Sequence, residues 1–311
     1  GYGLCLLLAG VVFAAPLWRR KLTTLADLYR QRFSVRTERI AAIVLIPGSI
    51  YWAAAQMRAF GHVISASASA IDAELAIGVA AGLTVAYAVF GGMLVDAITD
   101  VIQGVVLVVG LAVVFLFLLP QLGDAALTAA HAPVQLLPAS DESTWALLER
   151  WAIPIGGSVL ATELVGRLLA ARSAQVARRS AGMAAALYIG VGSIPLVIGV
   201  FGPALVPSIA DAEQLVPHIA RTMLPTVAYA VFAGALISAI LSTVDSTLLT
   251  SASLLSHNLL VPALRIVDER RKVLYARAGV ATFGIVASML HVFSLSLVNV
   301  KVTSRGAPWM S

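Results

Sequence analysis

The sequence has little charge for its length. Of its 311 residues, 12% are Asp, Glu, Lys or Arg, whereas about 25% is usual in soluble domains. The single cysteine, Cys5, excludes an intrachain disulfide, and we interpret it as a small buried residue. The sequence also has no nucleophile elbow, phosphate-binding loop or cluster of metal-ligating His and Cys residues. We therefore expect no enzyme and no cofactor.

Hydrophobic residues are abundant instead, at 59%, and the mean hydropathy is +0.92. Eight apolar stretches have about the length of a membrane-spanning helix. Because backbone polar groups must be satisfied inside lipid, these stretches predict an all-α, polytopic membrane protein. The eight predicted spans are residues 1–18, 40–66, 75–91, 96–119, 152–170, 180–202, 225–260 and 273–298.

The domain organisation predicted from this pattern is a single membrane domain over residues 1–298. The polar segment 299–311 follows it and is interpreted as a truncated or non-native tail. Gly1 opens directly into a hydrophobic stretch. Both ends lead us to expect a fragment of a longer protein.

The charged residues alternate between loops. Most Lys and Arg residues follow spans one, five and seven, whereas the other loops carry mostly Asp and Glu. By the positive-inside rule the basic loops are cytoplasmic, so span one runs from outside to inside. The net charge of +5 reflects these loops and indicates no nucleic-acid partner. We expect a multi-pass protein of the plasma membrane or the bacterial inner membrane.

Span seven contains the most informative segment, Ser242-Thr243-Val244-Asp245-Ser246. Small and hydroxyl-bearing residues share one helical face there, which is typical either of helix packing or of a polar site. Asp245 lies beside this face and favours the site, because packing does not need a carboxylate. Oxygen ligands suit hard cations such as Na⁺. The residues of this face are Ala239, Ser242, Thr243, Ser246 and Thr250.

Span four begins with a second polar face. Asp96, Thr99, Asp100 and Gln103 have the spacing i, i+3, i+4 and i+7 and therefore lie on one side of the helix, after a turn at Gly91-Gly92. The alternative is an ordinary helix start, where acidic residues are favoured by the helix dipole. That alternative suits Asp96 better than Asp100, which lies one turn deeper.

Two other features leave their alternatives open. Pro154 and Gly156-Gly157 interrupt the start of span five. Such a break frees carbonyls and amides to bind a transported solute or ion, but a proline near the first turn of a helix is also common. Gln56 lies inside span two and either hydrogen-bonds a solute or bridges helices.

These segments resemble the sodium/solute symporter family, which includes proline, glucose, iodide and sialic acid transporters. The matching segments occur in the family's order. The resemblance implies a leucine-transporter-type core of two inverted five-helix repeats, here incomplete at both ends. Span five corresponds to the broken first helix of the second repeat and span seven to the ion-binding helix. The matching segments are residues 22–33, 54–56, 87–92, 99–103, 167–179 and 238–258.

The resemblance implies sodium-coupled symport of a small organic solute, with Na⁺ as the coupling ion. The main sodium site would use the Ala239 carbonyl and the hydroxyls of Ser242 and Thr243, completed by a first helix that this chain lacks. Members with a second cation site imply that Asp100, Asp245 and Ser246 form one here.

Asp245 replaces the hydroxyl of those members, so it either strengthens cation binding or takes up a proton. We expect Gln56 to contact the solute. The alternative function is a symporter-like membrane sensor of a signalling protein. A channel is a third interpretation, which the interrupted span five disfavours.

Overall fold

The structure is a computed structural model that describes residues 1–67, 73–129, 143–205 and 215–304, and these parts of the chain are helical with short connections. The prediction of an all-α protein is confirmed. We number the helices α1 Tyr2–Arg19, α2 Ala26–Arg32, α3 Val35–Ser67, α4 Ala73–Ala129, α5 Thr144–Gly156, α6 Thr162–Leu169, α7 Ala174–Leu205, α8 Leu215–Met223, α9 Thr226–Leu264 and α10 Glu269–Ser304.

Six helices in the described part of the chain are long and apolar enough to cross a membrane. They correspond to predicted spans one, two, four, six, seven and eight, so the multi-pass membrane assignment is confirmed. The last helix continues to Ser304, and the rest of the predicted tail, residues 305–311, lies outside the described residues. The six segments are Tyr2–Arg19, Val35–Gly61, Ala88–Pro120, Ala174–Gly202, Thr226–Leu264 and Glu269–Leu290.

Predicted spans three and four follow each other within α4, separated by a break at Gly92. This residue has φ of 60° and ψ of −167°, a conformation that glycine adopts far more readily than other residues. The sequence predicted a turn at Gly91-Gly92, and the chain changes direction there. The break also sets where Asp96 and Asp100 lie, one and two turns into the second part of α4.

Predicted span five is two short helices rather than one. Helix α5 ends at Gly156, with Pro154 in its last turn, and α6 begins at Thr162. The Gly157 N–H still bonds the Ile153 carbonyl at 2.9 Å, after which the chain turns. The interruption predicted from the proline and glycines is therefore present, and neither half is long enough to span a bilayer by itself.

The chain divides into two compact units. The first comprises Gly1–Glu38 and Val101–Ser238, and the second comprises Arg39–Asp100 and Ala239–Ser311. The core of the first unit is built from α4, α7, α8 and α9, with Leu118, Ile198 and Phe232 among its fully buried residues. All the residues predicted to bind an ion or a solute belong to the second unit.

Small residues bring helices together in both units, as expected where lipid offers no hydrophobic drive for helix association. In the first unit, a Cβ added at Gly110 would lie 2.8 Å from the Cβ of Ala235. In the second unit, a Cβ at Gly279 would lie 3.1 Å from the Cβ of Ala252, so α10 packs closely on α9. This close packing on α10 fixes the position of the part of α9 that follows the predicted ligands.

Candidate ion-binding site

Three carboxylates meet in the second unit. Asp96 and Asp100 lie on one face of α4, and Asp245 lies on α9. One oxygen from each of the three groups lies within 4.8 Å of the others. Asp245 is 0% exposed and Asp96 is 6% exposed. Two segments that are distant in sequence thus bring together three acidic groups, of which Asp96 and Asp245 are buried and Asp100 is half-buried.

Serine hydroxyls on α9 join these carboxylates across the two helices. The Ser246 hydroxyl donates to Asp96 Oδ1 at 3.0 Å and also lies 2.9 Å from the Ser242 carbonyl. The Ser242 hydroxyl donates to Asp100 Oδ1. The Ser246 backbone N–H donates to Asp245 Oδ1 at 2.7 Å, which fixes the orientation of that carboxylate.

The chemistry of this cluster fits a hard cation. Its carboxylates, hydroxyls and nearby carbonyl all present oxygen, the ligand atom that such ions prefer. Three formal negative charges this close together in a buried place repel one another, and burial adds a desolvation cost for each. A bound cation, a proton on one of the acids, or both would lower that energy.

The two predicted sets of ligands are arranged differently. Asp100, Asp245 and Ser246, the predicted second cation site, are brought together. Ser242, predicted for the main sodium site, has its hydroxyl on Asp100 in the same cluster.

The other two residues of the main set lie side by side, half-buried. The Thr243 hydroxyl donates to the Ala239 carbonyl at 3.1 Å. That bond uses the hydroxyl hydrogen and leaves oxygen lone pairs on both groups. Gln56 is half-buried on α3, and its side chain makes no hydrogen bond that joins it to the described residues of the cluster.

Asp96 is a further acidic residue of the cluster, for which the sequence left two interpretations open. An acid near a helix start has an adequate explanation in the helix dipole, yet Asp96 is buried and accepts from Ser246. The signal was its i, i+4 relation to Asp100, which puts both on one face. Thr99, predicted on that face too, instead donates back to the carbonyls of Val95 and Asp96 at 3.0 and 2.9 Å.

Comparison with known proteins shows which transporters the chain is similar to. The chain is 25% identical over 309 residues to the high affinity choline transporter 1 of Homo sapiens. The aligned region covers 93% of this chain and 53% of the relative. It is 23% identical over 195 residues to the sodium/pantothenate symporter of Haemophilus influenzae, covering 57% of this chain and 38% of the relative. The chain thus spans about half the length of the choline transporters it matches.

The fold is similar to that of a Na⁺-coupled sialic acid symporter solved in a substrate-bound outward-open state. The TM-score is 0.78 at 18% identity, over 96% of this chain and 66% of the other. The expected symporter-type fold is confirmed by this likeness. The sequence profile of the sodium:solute symporter family matches residues 1–304, and the chain belongs to that family.

Proposed function

We propose that the chain acts in sodium-coupled symport of a small organic solute across a cell membrane, either the plasma membrane or a bacterial inner membrane. The observation that carries the proposal is a cluster of buried and half-buried oxygen-bearing side chains, formed by Asp96, Asp100, Asp245, Ser242 and Ser246. Membership of the sodium:solute symporter family supports it. The relatives named above are transporters, so the sensor alternative gains no support from them.

The cluster is proposed to bind one Na⁺, with Asp100, Asp245 and Ser246 as ligands and Asp96 as an additional carboxylate. Because one Na⁺ offsets only one negative charge, a proton on a second carboxylate would lower the remaining repulsion. The Ala239 carbonyl and the hydroxyls of Ser242 and Thr243 remain the proposed ligands of the main sodium site. The Ser242 hydroxyl, a proposed ligand of the main site, donates to Asp100 of the cluster and so would link the occupancies of the two sites.

Coupling follows from differential binding. Na⁺ can favour one conformation only by binding it more tightly than the alternative, and the solute then binds the conformation that Na⁺ has favoured. The membrane potential contributes about 2.3 kcal/mol per charge per 100 mV. In this scheme the ion binds at carboxylates on membrane-spanning helices, so its charge is exposed to part of the membrane potential.

Choline and pantothenate are the first two solutes to test, because relatives of this chain are named for them. Gln56 is our proposed solute contact, since an amide offers both a donor and an acceptor. We propose no further cofactor and no enzymatic step.

Sodium binding is tested first, without choosing a solute. Purified full-length protein is heated in NaCl or in KCl at equal ionic strength. The wild type should unfold at a higher temperature in NaCl, because a ligand that binds the folded state stabilises it. Asp245→Asn keeps the shape of the side chain but removes its charge, and it should lose most of this sodium-specific increment.

Asp268→Asn is the matched control, because Asp268 is exposed and lies between α9 and α10, away from the cluster. It should keep the full increment. If Asp245→Asn folds and also keeps the full increment, Asp245 is no sodium ligand. If the wild type is stabilised equally by Na⁺ and K⁺, the cluster does not select sodium.

A further inference from the structure

A cavity in the first unit lies between α1 and α7. Its volume is about 330 Å³, which is near the lower end of known small-molecule sites of roughly 300–1,000 Å³. One side is apolar and is formed by α1, whereas the other is basic and polar and is formed by the start of α7. Its lining includes Leu7, Val11, Gln175, Arg178, Arg179 and Gly182.

Two glycines shape this cavity in opposite ways. A Cβ at Gly10 would lie 2.9 Å from the Cβ of Ala181 and 3.3 Å from the Arg178 carbonyl oxygen, so Gly10 lets α1 approach α7 closely. A Cβ at Gly182 would meet nothing within 4 Å. The missing side chain of Gly182 therefore leaves part of the cavity open rather than serving helix packing.

The cavity lies near the cytoplasmic end of α7 and beside the middle of α1. The loop charges place the start of α7 on the cytoplasmic side. The Trp18 indole N–H donates to the Ala171 carbonyl at 2.6 Å, joining the end of α1 to the segment before α7, and tryptophan is typical of the membrane interface. Arg178 lies one turn into α7, about 6 Å from its start.

The charges in this cavity are available to a partner from outside the described part of the chain. Arg178 and Arg179 are exposed, and in the described part of the chain neither guanidinium has an ion-pair or side-chain hydrogen-bond partner. A guanidinium inside a membrane span is costly unless it reaches the interface or pairs. Leu7 and Val11, 44% and 57% exposed, present an apolar surface beside these charges.

We propose that this cavity binds one anionic phospholipid of the cytoplasmic leaflet. Arg178 and Arg179 pair with the phosphate, for which guanidinium geometry is well suited. The Gln175 amide lies where it can donate to headgroup oxygens, and an acyl chain runs along Leu7 and Val11. A basic pocket between membrane helices on the cytoplasmic side is a recurrent form of lipid site. A zwitterionic lipid binds less tightly because its cationic group offsets the phosphate.

The test compares phosphatidylglycerol with phosphatidylcholine of the same acyl chains, added to the purified full-length protein in detergent. Native mass spectrometry measures retained lipid, and thermal unfolding measures stabilisation. Phosphatidylglycerol should be retained more strongly by the wild type. Arg178→Gln and Arg179→Gln should each weaken its retention about fivefold, from roughly 1 kcal/mol per basic residue. Gly182→Leu keeps the charge but fills the cavity, and it should also displace the lipid.

Arg172→Gln is the matched control, since Arg172 is an exposed arginine just before α7 and outside the cavity. It should retain phosphatidylglycerol like the wild type. If Arg172→Gln loses as much retention as the cavity variants do, the lipid is held by diffuse surface charge rather than by this cavity. Unchanged retention in the Arg178→Gln/Arg179→Gln double variant would overturn the proposal. So would equal stabilisation by inorganic phosphate alone, which would indicate a soluble anion. If Gly182→Leu destabilises the protein equally in both lipids with retention unchanged, another protein segment fills the cavity.

Discussion

Two faces of α9 carry the same kind of side chain but use it differently. On one face, the hydroxyls of Ser242 and Ser246 reach carboxylates on α4, although the Ser246 hydroxyl also lies 2.9 Å from the carbonyl four residues earlier. On the other, Thr247 and Ser251 donate to carbonyls four residues earlier in their own helix, at 2.6 and 2.8 Å. Hydroxyl content alone therefore does not distinguish a ligand from a helix-packing residue. The distinction is made by the polar groups that a neighbouring helix presents.

Thr243 lies between these two cases. Its hydroxyl donates to the Ala239 carbonyl at 3.1 Å, as residues on the back-bonded face do. The hydroxyl hydrogen is used in this bond, but the lone pairs of the oxygen remain available, and lone pairs are what an ion ligand must offer. Thr243 therefore tests whether a back-bonded hydroxyl can also serve as a sodium ligand.

The largest effect is expected from Thr243→Ala. Removing a proposed ligand oxygen should reduce sodium-stimulated uptake by about 10–100-fold, as expected for the loss of a 1.5–3 kcal/mol interaction with a charge. The measurement is uptake of radiolabelled choline or pantothenate by proteoliposomes, with and without an inward sodium gradient. Thr250→Ala is the control, because Thr250 donates to the Ser246 carbonyl at 2.8 Å and is proposed to bind no ion.

Unchanged sodium dependence in Thr243→Ala would remove Thr243 from the main site. Equal losses in Thr243→Ala and Thr250→Ala would mean that the measurement reports helix geometry rather than ligation. In either case, uptake measurements would give no support for Thr243 as a sodium ligand on α9.

A smaller effect is expected from Ser246→Ala. This change removes one proposed ligand oxygen, which is also the donor to Asp96, but it leaves all three carboxylates, so sodium should still bind. Loss of one hydrogen bond of about 1–1.5 kcal/mol should raise the sodium concentration for half-maximal stabilisation about 5–10-fold. Thermal unfolding across a NaCl titration measures it.

Ser251→Ala is the matched control for Ser246→Ala, since Ser251 is 0% exposed and bonds only within the described part of its own helix. It should leave the sodium titration unchanged. If Ser246→Ala also leaves it unchanged, Ser246 is no sodium ligand, and its bond to Asp96 is structural.

Local sequence signals accounted for much of the fold. Hydropathy located the membrane helices, and Pro154 with Gly157 located the break between α5 and α6, because these residues act on the backbone wherever they occur. The turn at Gly92 was predictable for the same reason. Hydropathy was misleading for span five. It predicted one continuous membrane helix, whereas the backbone is interrupted between Gly156 and Thr162.

The site was predictable only in part. Helical spacing placed Asp96 with Asp100 and Ser242 with Ser246, because a face depends on residues within one helix. Which face of α4 meets which face of α9 depends on packing between distant segments. The sequence therefore left open whether Asp96 belongs to the polar face or to an ordinary helix start, and it did not predict the bond between Ser246 and Asp96. Thr250 was placed on the same helical face as the predicted ligands, and its hydroxyl bonds its own helix.

The smallest effect is expected from Thr247→Val, which changes the back-bonded face with almost no change of shape. Thr247 is 0% exposed and donates to the Thr243 carbonyl at 2.6 Å. That carbonyl also accepts the backbone N–H of the next helical turn, so losing the hydroxyl leaves no buried acceptor unsatisfied. Stability should change by less than about 0.5 kcal/mol, and sodium-stimulated uptake should stay within about twofold of the wild type. A loss as large as that of Ser246→Ala would show that both faces of α9 contribute to ion binding.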